Sequence, residues 1–76
     1  MPKLPLLTSK KLIKVLLKIG FKLDHTSGSH YVFYHSKTKR RAVVPYHRKN
    51  LPKGTLKAIL REAGVSIEEI YEALKK

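Results

Sequence analysis

The residues best suited to chemistry in this chain are its histidines. The chain has no cysteine and only five acidic residues, so its four histidines are the only side chains that titrate near neutral pH. An RNA 2′-hydroxyl lies beside its own phosphate. Cleavage therefore needs one group that removes a proton, one that stabilises phosphoryl charge and one that protonates the leaving oxygen. Because a histidine can take the first or the last role without a metal ion, the chain is suited to metal-free phosphodiester cleavage.

His30 has the most favourable setting of the four. It follows Gly28 and Ser29, which form a tight turn with unencumbered backbone donors, and it opens an apolar run. This setting makes His30 the best candidate for a catalytic histidine, with Gly28 and Ser29 as supporting donors. The alternative is that His30 is an ordinary residue at a strand edge. The residues predicted to bind RNA phosphates are Lys22, Arg40, Arg41, His47, Arg48 and Lys49.

The histidines also suggest a metal site or a catalytic pair. Strand side chains alternate between two faces, so the odd spacing of His25, His30 and His35 does not align them, and no carboxylate is expected to accompany them. We therefore expect no metal and no cofactor. If residues 26–29 form a four-residue hairpin loop, His25 lies opposite His30 as an acid-base partner. Otherwise His25 and His35 are local turn and surface residues.

Charge is the strongest global signal. The chain carries 17 Lys and Arg residues against five acidic ones, for a net charge of +12, and four of the acidic residues follow residue 61. Nucleic acid is the default partner of such a basic body, because each neutralised phosphate releases counterions. A membrane surface fits less well, since the charge is not concentrated on one amphipathic helix. Solubility alone requires a net charge of only about 2 to 8.

Length and composition limit the number of domains and argue against a secreted or membrane-spanning protein. Residues 1–76 suit a single domain with one small core. The apolar stretch at the start breaks at Pro5, so we expect no signal peptide, and no apolar run approaches the roughly 18 residues of a membrane helix. The absence of cysteine is compatible with a reducing cytoplasm, where we expect the protein to act.

The apolar pattern predicts a helix, three strands and two further helices. Thr8 or Ser9 caps the first helix and Gly20 ends it. Pro45 ends the third strand or places it at a sheet edge. The predicted strands cover residues 21–24, 30–35 and 40–44, with turns over residues 25–29 and 36–39.

Local signals also define the two C-terminal helices. Thr55 is predicted to cap the first and Gly64 to end it, and Ser66 with Glu69 forms a capping box for the second. The residues expected to face inward are Leu56, Ile59, Leu60 and Ala63 in the first helix and Ile67, Ile70, Tyr71 and Leu74 in the second.

This order predicts an α+β fold, a two-layer sandwich like that of double-stranded RNA-binding domains. Helices cover one face of an antiparallel three-stranded sheet, and the other face is open. Val32 and Phe33 both look buried but point to opposite faces of one strand, and the sequence does not decide which of them packs under the helices.

Several segments, in order along nearly the whole chain, resemble the HicA family of toxins. They are Gly20-Phe21 after an apolar helix, Gly28-Ser29-His30 opening a strand, Val44-Pro45-Tyr46-His47 closing another, and Gly54-Thr55-Leu56 followed by residues 59–64. The resemblance implies a ribosome-independent mRNA interferase of a type II toxin-antitoxin system. It also implies that His30 is the catalytic histidine, that Pro45 and His47 form a Val-Pro-x-His element, and that the partner is a HicB antitoxin.

Three other functions stay open on the sequence. The first is a non-catalytic RNA-binding module in which His30 only contacts a phosphate. The second is a DNA-binding helix-turn-helix over residues 59–74, although its second helix carries Glu68, Glu69 and Glu72, which phosphates repel. The third is that the acidic last helix and the basic sheet face both serve a protein partner.

Overall fold

A computed structural model describes residues 4–75 and confirms the α+β fold with the predicted order of elements. The sheet is antiparallel with strand order β1-β2-β3, so β2 is central and β1 and β3 are edge strands. Residues 1–3, which belong to the segment in which no signal peptide is predicted, lie outside the described part. The elements are α1 (Ser9–Ile19), β1 (Lys22–Ser27), β2 (His30–Tyr34), β3 (Arg41–Pro45), α2 (Lys53–Ala63) and α3 (Ile67–Lys75).

The core lies between the helices and one face of the sheet. Phe33 of β2 and Ala42 and Val44 of β3 are buried in one cluster with apolar residues of α1, α2 and α3. Val32 is also largely buried, but it lies outside this cluster because neighbouring strand residues point to opposite faces. Phe33 is therefore the residue that packs under the helices, which answers the question that the sequence left open.

The N-termini of α1 and α3 lie where the local signals in the sequence predict them. Thr8 is the N-cap of α1, and its hydroxyl accepts a hydrogen bond of 3.2 Å from the Lys11 amide. Ser66 and Glu69 form the predicted capping box: the Glu69 amide donates to Ser66 Oγ at 3.1 Å, and the Ser66 amide donates to Glu69 Oε1 at 3.2 Å. The sequence therefore determines these two helix starts locally.

Gly20 ends α1 in a conformation that only glycine adopts readily. Its φ is +121°, and a Cβ at this position would lie 2.8 Å from His35 Nε2. The chain turns here between α1 and β1 with the His35 ring against it. Gly20 therefore serves both the turn and the close packing of His35.

Two details of the C-terminal helices differ from the prediction. Thr55 is not the cap of α2: the helix begins at Lys53, and Pro52 is its N-cap, with a φ of −56° and no side-chain cap bond. The Pro52 carbonyl accepts the first helical bond, from the Leu56 amide. In α3, Leu74 is exposed and Ala73 is buried, because only a narrow stripe of this terminal helix packs against α1.

The first hairpin also differs from the prediction. β1 continues through residues that were predicted to form a turn, and the loop is only Gly28-Ser29, with Gly28 at a φ of +59°. A left-handed glycine at the first loop position suits a two-residue hairpin. The polar segment can remain a strand because β1 is an edge strand whose six residues are all exposed. The observed ends of the other two strands differ from the predicted ends by one residue: β2 ends at Tyr34, and β3 runs from Arg41 to Pro45.

β1 contains a bulge between Leu23 and His25. Leu23 pairs with Phe33 and His25 pairs with Val32, which leaves Asp24 without a partner in the ladder. The extra residue changes the alternation, so Leu23 and His25 point to opposite faces although they are two residues apart. Within residues 4–75, no helix is long and apolar enough to cross a bilayer.

Candidate active site

His30 lies at the start of the central strand, on the sheet face opposite the helices. It is exposed and pairs with Ser27 of β1 and Pro45 of β3. Its neighbours along the strand, Tyr31 and Phe33, face the helices, so His30, Val32 and Tyr34 face the other side, the open face. A substrate can therefore reach His30 without any movement of the helices.

His25 shares the open face with His30, but the two are not opposite each other. The four-residue loop that a direct pair requires does not form, because the two-residue loop pairs His30 with Ser27. His25 pairs with Val32 and is thus the diagonal neighbour of His30, at a separation typical of about 7–8 Å. The open face therefore carries two histidines separated by enough room for a phosphate.

Asp24 positions His25. Asp24 Oδ2 lies 2.7 Å from His25 Nδ1, and both side chains are about half exposed. A carboxylate oxygen accepts hydrogen bonds, so Nδ1 is the donor in this contact and Nε2 is available for a further contact. The expectation that no carboxylate accompanies the histidines is wrong at this position.

His35 serves the structure rather than the open face. Its ring packs edge-on against Phe21, with centroids 5.0 Å apart, and its Nδ1 accepts hydrogen bonds from the amides of Lys37 and Thr38 at 3.2 and 3.3 Å. These bonds stabilise the β2–β3 turn. His35 therefore fits the predicted role of a local turn residue.

Long-range hydrogen bonds hold the loop after β3, the exit loop (residues 46–50), at the end of the sheet where His30 lies. Ser9 is fully buried, and its Oγ donates to the Pro45 carbonyl at 2.6 Å and accepts from the His47 amide at 2.8 Å. The Tyr46 amide donates to the Ser29 carbonyl at 2.8 Å. The exit loop is thereby connected both to the start of α1 and to the turn that precedes His30.

A cationic pocket forms where the exit loop meets the start of α1. Its volume is about 340 Å³, and it lies at the same end of the sheet as His30, because Pro45 pairs with His30. Cationic side chains around an open pocket suit a phosphate group. The residues that line the cationic pocket are Thr8, Lys10, Tyr46, His47 and Arg48.

The predicted phosphate-binding residues divide into separate groups. His47, Arg48 and the exposed Lys49 lie on the exit loop near His30. Lys22 and Arg41 instead pair with Tyr34 at the other end of β2, roughly 13 Å away along the strand.

Arg41 and Arg40 are neighbours in the chain, but their side chains point to different places. Arg41 lies over the Tyr34 ring, with its guanidinium carbon 5.8 Å from the ring centroid. Arg40 is directed elsewhere, since its Nε would lie 3.3 Å from a Cβ at Gly64, in the turn between α2 and α3. Arg40 therefore belongs to neither group.

Thr8 and Tyr46 in the lining of the cationic pocket were not among the predicted site residues, and neither were Asp24, Ser9 and Lys10. Asp24 is predicted only as part of a regular strand and Ser9 only as a possible helix cap, and Lys10 enters the prediction only through the net charge. No local pattern reveals these roles, because each depends on a bulge or on contacts across the fold. Within residues 4–75, no three His, Cys, Asp or Glu side chains lie close enough together to hold a metal ion.

The fold and the site define a small, strongly basic α+β domain whose open sheet face carries an exposed histidine, with a cationic pocket at the same end of the sheet. The model of the HicA toxin family of bacterial toxin-antitoxin systems matches residues 9–65. The chain belongs to this family, and the predicted resemblance is confirmed. The match includes α1, the sheet, the exit loop and α2. No curated protein sequence matches the chain significantly.

Proposed function

We propose that this toxin is an endoribonuclease that cleaves mRNA in the cytoplasm, independently of the ribosome, by histidine acid-base chemistry. The observation that carries the proposal is the position of His30, which is exposed on the open face at the end of the sheet where the cationic pocket lies. A single-stranded RNA can place a phosphate between the two without unfolding any part of the domain. Bases that are not paired can then extend across the open face.

The chemistry needs one proton removed and one proton donated. The 2′-oxygen attacks the adjacent phosphorus and the bond to the 5′-oxygen breaks, which leaves a 2′,3′-cyclic phosphate and a 5′-hydroxyl. His30 takes part in one proton transfer, and His25, oriented by Asp24, takes part in the other. Their diagonal placement fits groups that act on opposite sides of one phosphate.

The cationic pocket stabilises the charge of the reacting phosphate or of its neighbour. Arg48 and Lys10 supply charge, and the Ser9 contact fixes the backbone at His47 so that the exit loop is already ordered before RNA binds. Lys22 and Arg41, at the far end of β2, contact the RNA further along its backbone. Gly28 leaves open space beside the turn, since a Cβ there would meet nothing within 4 Å.

The products of the wild-type protein test this function. With a chelator present, we expect single-stranded RNA to be cut into fragments with 2′,3′-cyclic phosphate and 5′-hydroxyl ends, as measured by mass spectrometry. The matched control is the same oligonucleotide with 2′-O-methyl groups, which lacks the attacking hydroxyl and should stay intact. Cleavage of the methylated strand, or a requirement for a divalent ion, would contradict the mechanism.

The salt dependence of RNA binding tests the cationic pocket. Replacing Arg48 by glutamine should weaken RNA binding and reduce the slope of log K against log salt by about 0.7, the value of one phosphate contact on a single strand. The matched control is Lys57→Gln, which removes an exposed charge on α2. Equal effects of the two variants in a fluorescence anisotropy titration would show that charge acts diffusely rather than through the cationic pocket.

Duplex DNA binding by a helix-turn-helix has less support. α2 directs Leu56, Ile59 and Leu60 into the core, and the first turn of α3 carries Glu68 and Glu69. These carboxylates would meet DNA phosphates with like charge. The open sheet face is therefore the better candidate for nucleic acid.

The second partner that we propose is a HicB-type antitoxin. A toxin of a toxin-antitoxin pair requires an inhibitor, and a net charge of +12 favours an acidic protein that is attracted over long distances. Such a protein inhibits cleavage if it covers His30, the cationic pocket or both.

A further inference from the structure

An apolar groove lies between α1 and the first two strands, on the helix side of the sheet. α1 and α2 both pack against β3, which leaves the helix side of β1 uncovered. The groove has a volume of about 330 Å³, and Lys10 is the charged residue at its wall. Its apolar lining includes Ile13 and Leu17 of α1, Leu23 of β1, Tyr31 of β2 and Tyr46 of the exit loop.

The apolar groove collects most of the exposed apolar side chains of the protein. Within residues 4–75, five large apolar residues are exposed, and three of them line the groove: Leu17 at 50%, Leu23 at 51% and Tyr46 at 50%. Single exposed leucines are common on protein surfaces, but a contiguous patch marks an interaction site. Because aliphatic side chains give no attraction to phosphates, the patch fits a protein segment rather than RNA.

The charge around the apolar groove indicates the chemistry of that segment. Lys10 lines one end, and Lys14 lies on the same side of α1, four residues after Lys10 and three before Leu17. Both lysines are exposed. A segment with apolar side chains toward the groove and acidic side chains at its border would satisfy both features.

The apolar groove and the cationic pocket share part of their lining. Lys10 and Tyr46 belong to both cavities, and the Tyr46 amide is bound to Ser29, next to His30. The Tyr46 ring also packs edge-on against Tyr31 at 6.3 Å between centroids. A segment seated in the groove therefore lies against the side chains that border the phosphate-binding position.

We propose that the apolar groove anchors the antitoxin through an acidic amphipathic segment, and that this segment blocks the cationic pocket by covering Lys10 and Tyr46. The inference rests on the antitoxin partnership proposed above, and it does not require that the toxin be a ribonuclease. Inhibition then acts from the helix side of the sheet, and the antitoxin need not contact His30.

The test is the double variant Leu17→Lys/Leu23→Lys, measured by calorimetry with the HicB-type antitoxin proposed as the partner of this toxin. The substitutions remove the apolar anchors but add positive charge. An interaction carried by charge alone would keep or gain affinity. An anchor in the groove instead predicts an affinity loss of about 30-fold, because each leucine contributes roughly half of its apolar surface to the interface.

The matched control is Leu6→Lys/Leu74→Lys, which makes the same change at two exposed leucines outside the groove and should leave the affinity unchanged. RNA cleavage by each free toxin variant is measured in parallel and should stay within about twofold of wild type, since neither leucine faces His30. Unchanged or tighter antitoxin binding by the groove variant would overturn the proposal. Lost cleavage with unchanged antitoxin binding would overturn it too and identify the groove as an RNA surface.

A labelling experiment covers the case in which the double variant folds poorly. The chain has no cysteine, so Leu17→Cys and, as a control, Leu74→Cys each provide a single attachment point for an environment-sensitive dye. Addition of the antitoxin should shift the emission of the dye at position 17 to the blue and leave that at position 74 unchanged. No shift at position 17 would contradict the proposal. If the wild type cleaves no RNA, the proposed function fails, but both binding measurements still test the groove.

Discussion

Replacing His30 by alanine is expected to lower the rate of RNA cleavage by about 10³-fold, within the range of general acid-base catalysis. His30 is exposed on the open face and makes no contact with the core, so the fold should persist. RNA affinity should change little, because Arg48 and Lys10 remain in the cationic pocket. The measurement is single-turnover cleavage at saturating protein in a chelating buffer, together with circular dichroism. Wild-type cleavage by this variant would rule out His30 as the catalytic residue.

Two further variants test which residue takes part in the second proton transfer. His25→Asn should also slow cleavage strongly, and Asp24→Asn should slow it less, because the carboxylate acts only by orienting the His25 ring. If His25→Asn cleaves at the wild-type rate while His30→Ala does not, the second group is elsewhere, and His47 at the cationic pocket is the next residue to replace.

The largest loss of stability is expected from Phe33→Ala. Phe33 is 2% exposed in the centre of the core cluster, and truncation of such a phenylalanine costs about 3–5 kcal/mol. A domain of this length has a total free energy of unfolding of roughly 4–11 kcal/mol. The variant should therefore lose about half of its free energy of unfolding. Urea denaturation measures this loss as a much lower midpoint.

Val32→Ala is the matched control for Phe33→Ala. Val32 is the next residue on the same strand and is also largely buried, but it lies on the open face outside the core cluster. Its truncation should cost about 1 kcal/mol. If the two variants lost similar stability, the assignment of the core to the helix side of β2 would be wrong.

The sequence predicted the elements whose signals are local. The helix ends at Gly20 and Gly64 and the capping box at Ser66 depend on hydrogen bonds within a few residues, so the sequence predicts them. The packing of His35 against Gly20 is not visible in this way. The second half of β1 was missed because His25, Thr26 and Ser27 have the composition of a turn. An edge strand with one face in solvent needs few apolar residues, so composition could not identify it.

The candidate site was predictable only in part, for a related reason. His30 and His47 could be found because short motifs carry them, and the roles assigned to them stay predictions. The contact between Ser9 and His47 joins residues 38 positions apart, and only the folded chain brings them together. Likewise, the apolar groove exists because α1 and α2 both pack against β3. The sequence of β1 contains no signal from which that packing could be predicted.

The bulge at Asp24 has a consequence for how such a site can change during evolution. Asp24 has no partner in the ladder, so the pairs on either side of it, Leu23 with Phe33 and His25 with Val32, would be adjacent without it. An insertion of one residue at this point adds a carboxylate beside His25 without moving any other side chain to the wrong face. A lineage could therefore gain or lose this carboxylate through the insertion or deletion of a single codon. Neither Leu23 in the apolar groove nor His25 on the open face would need a compensating change.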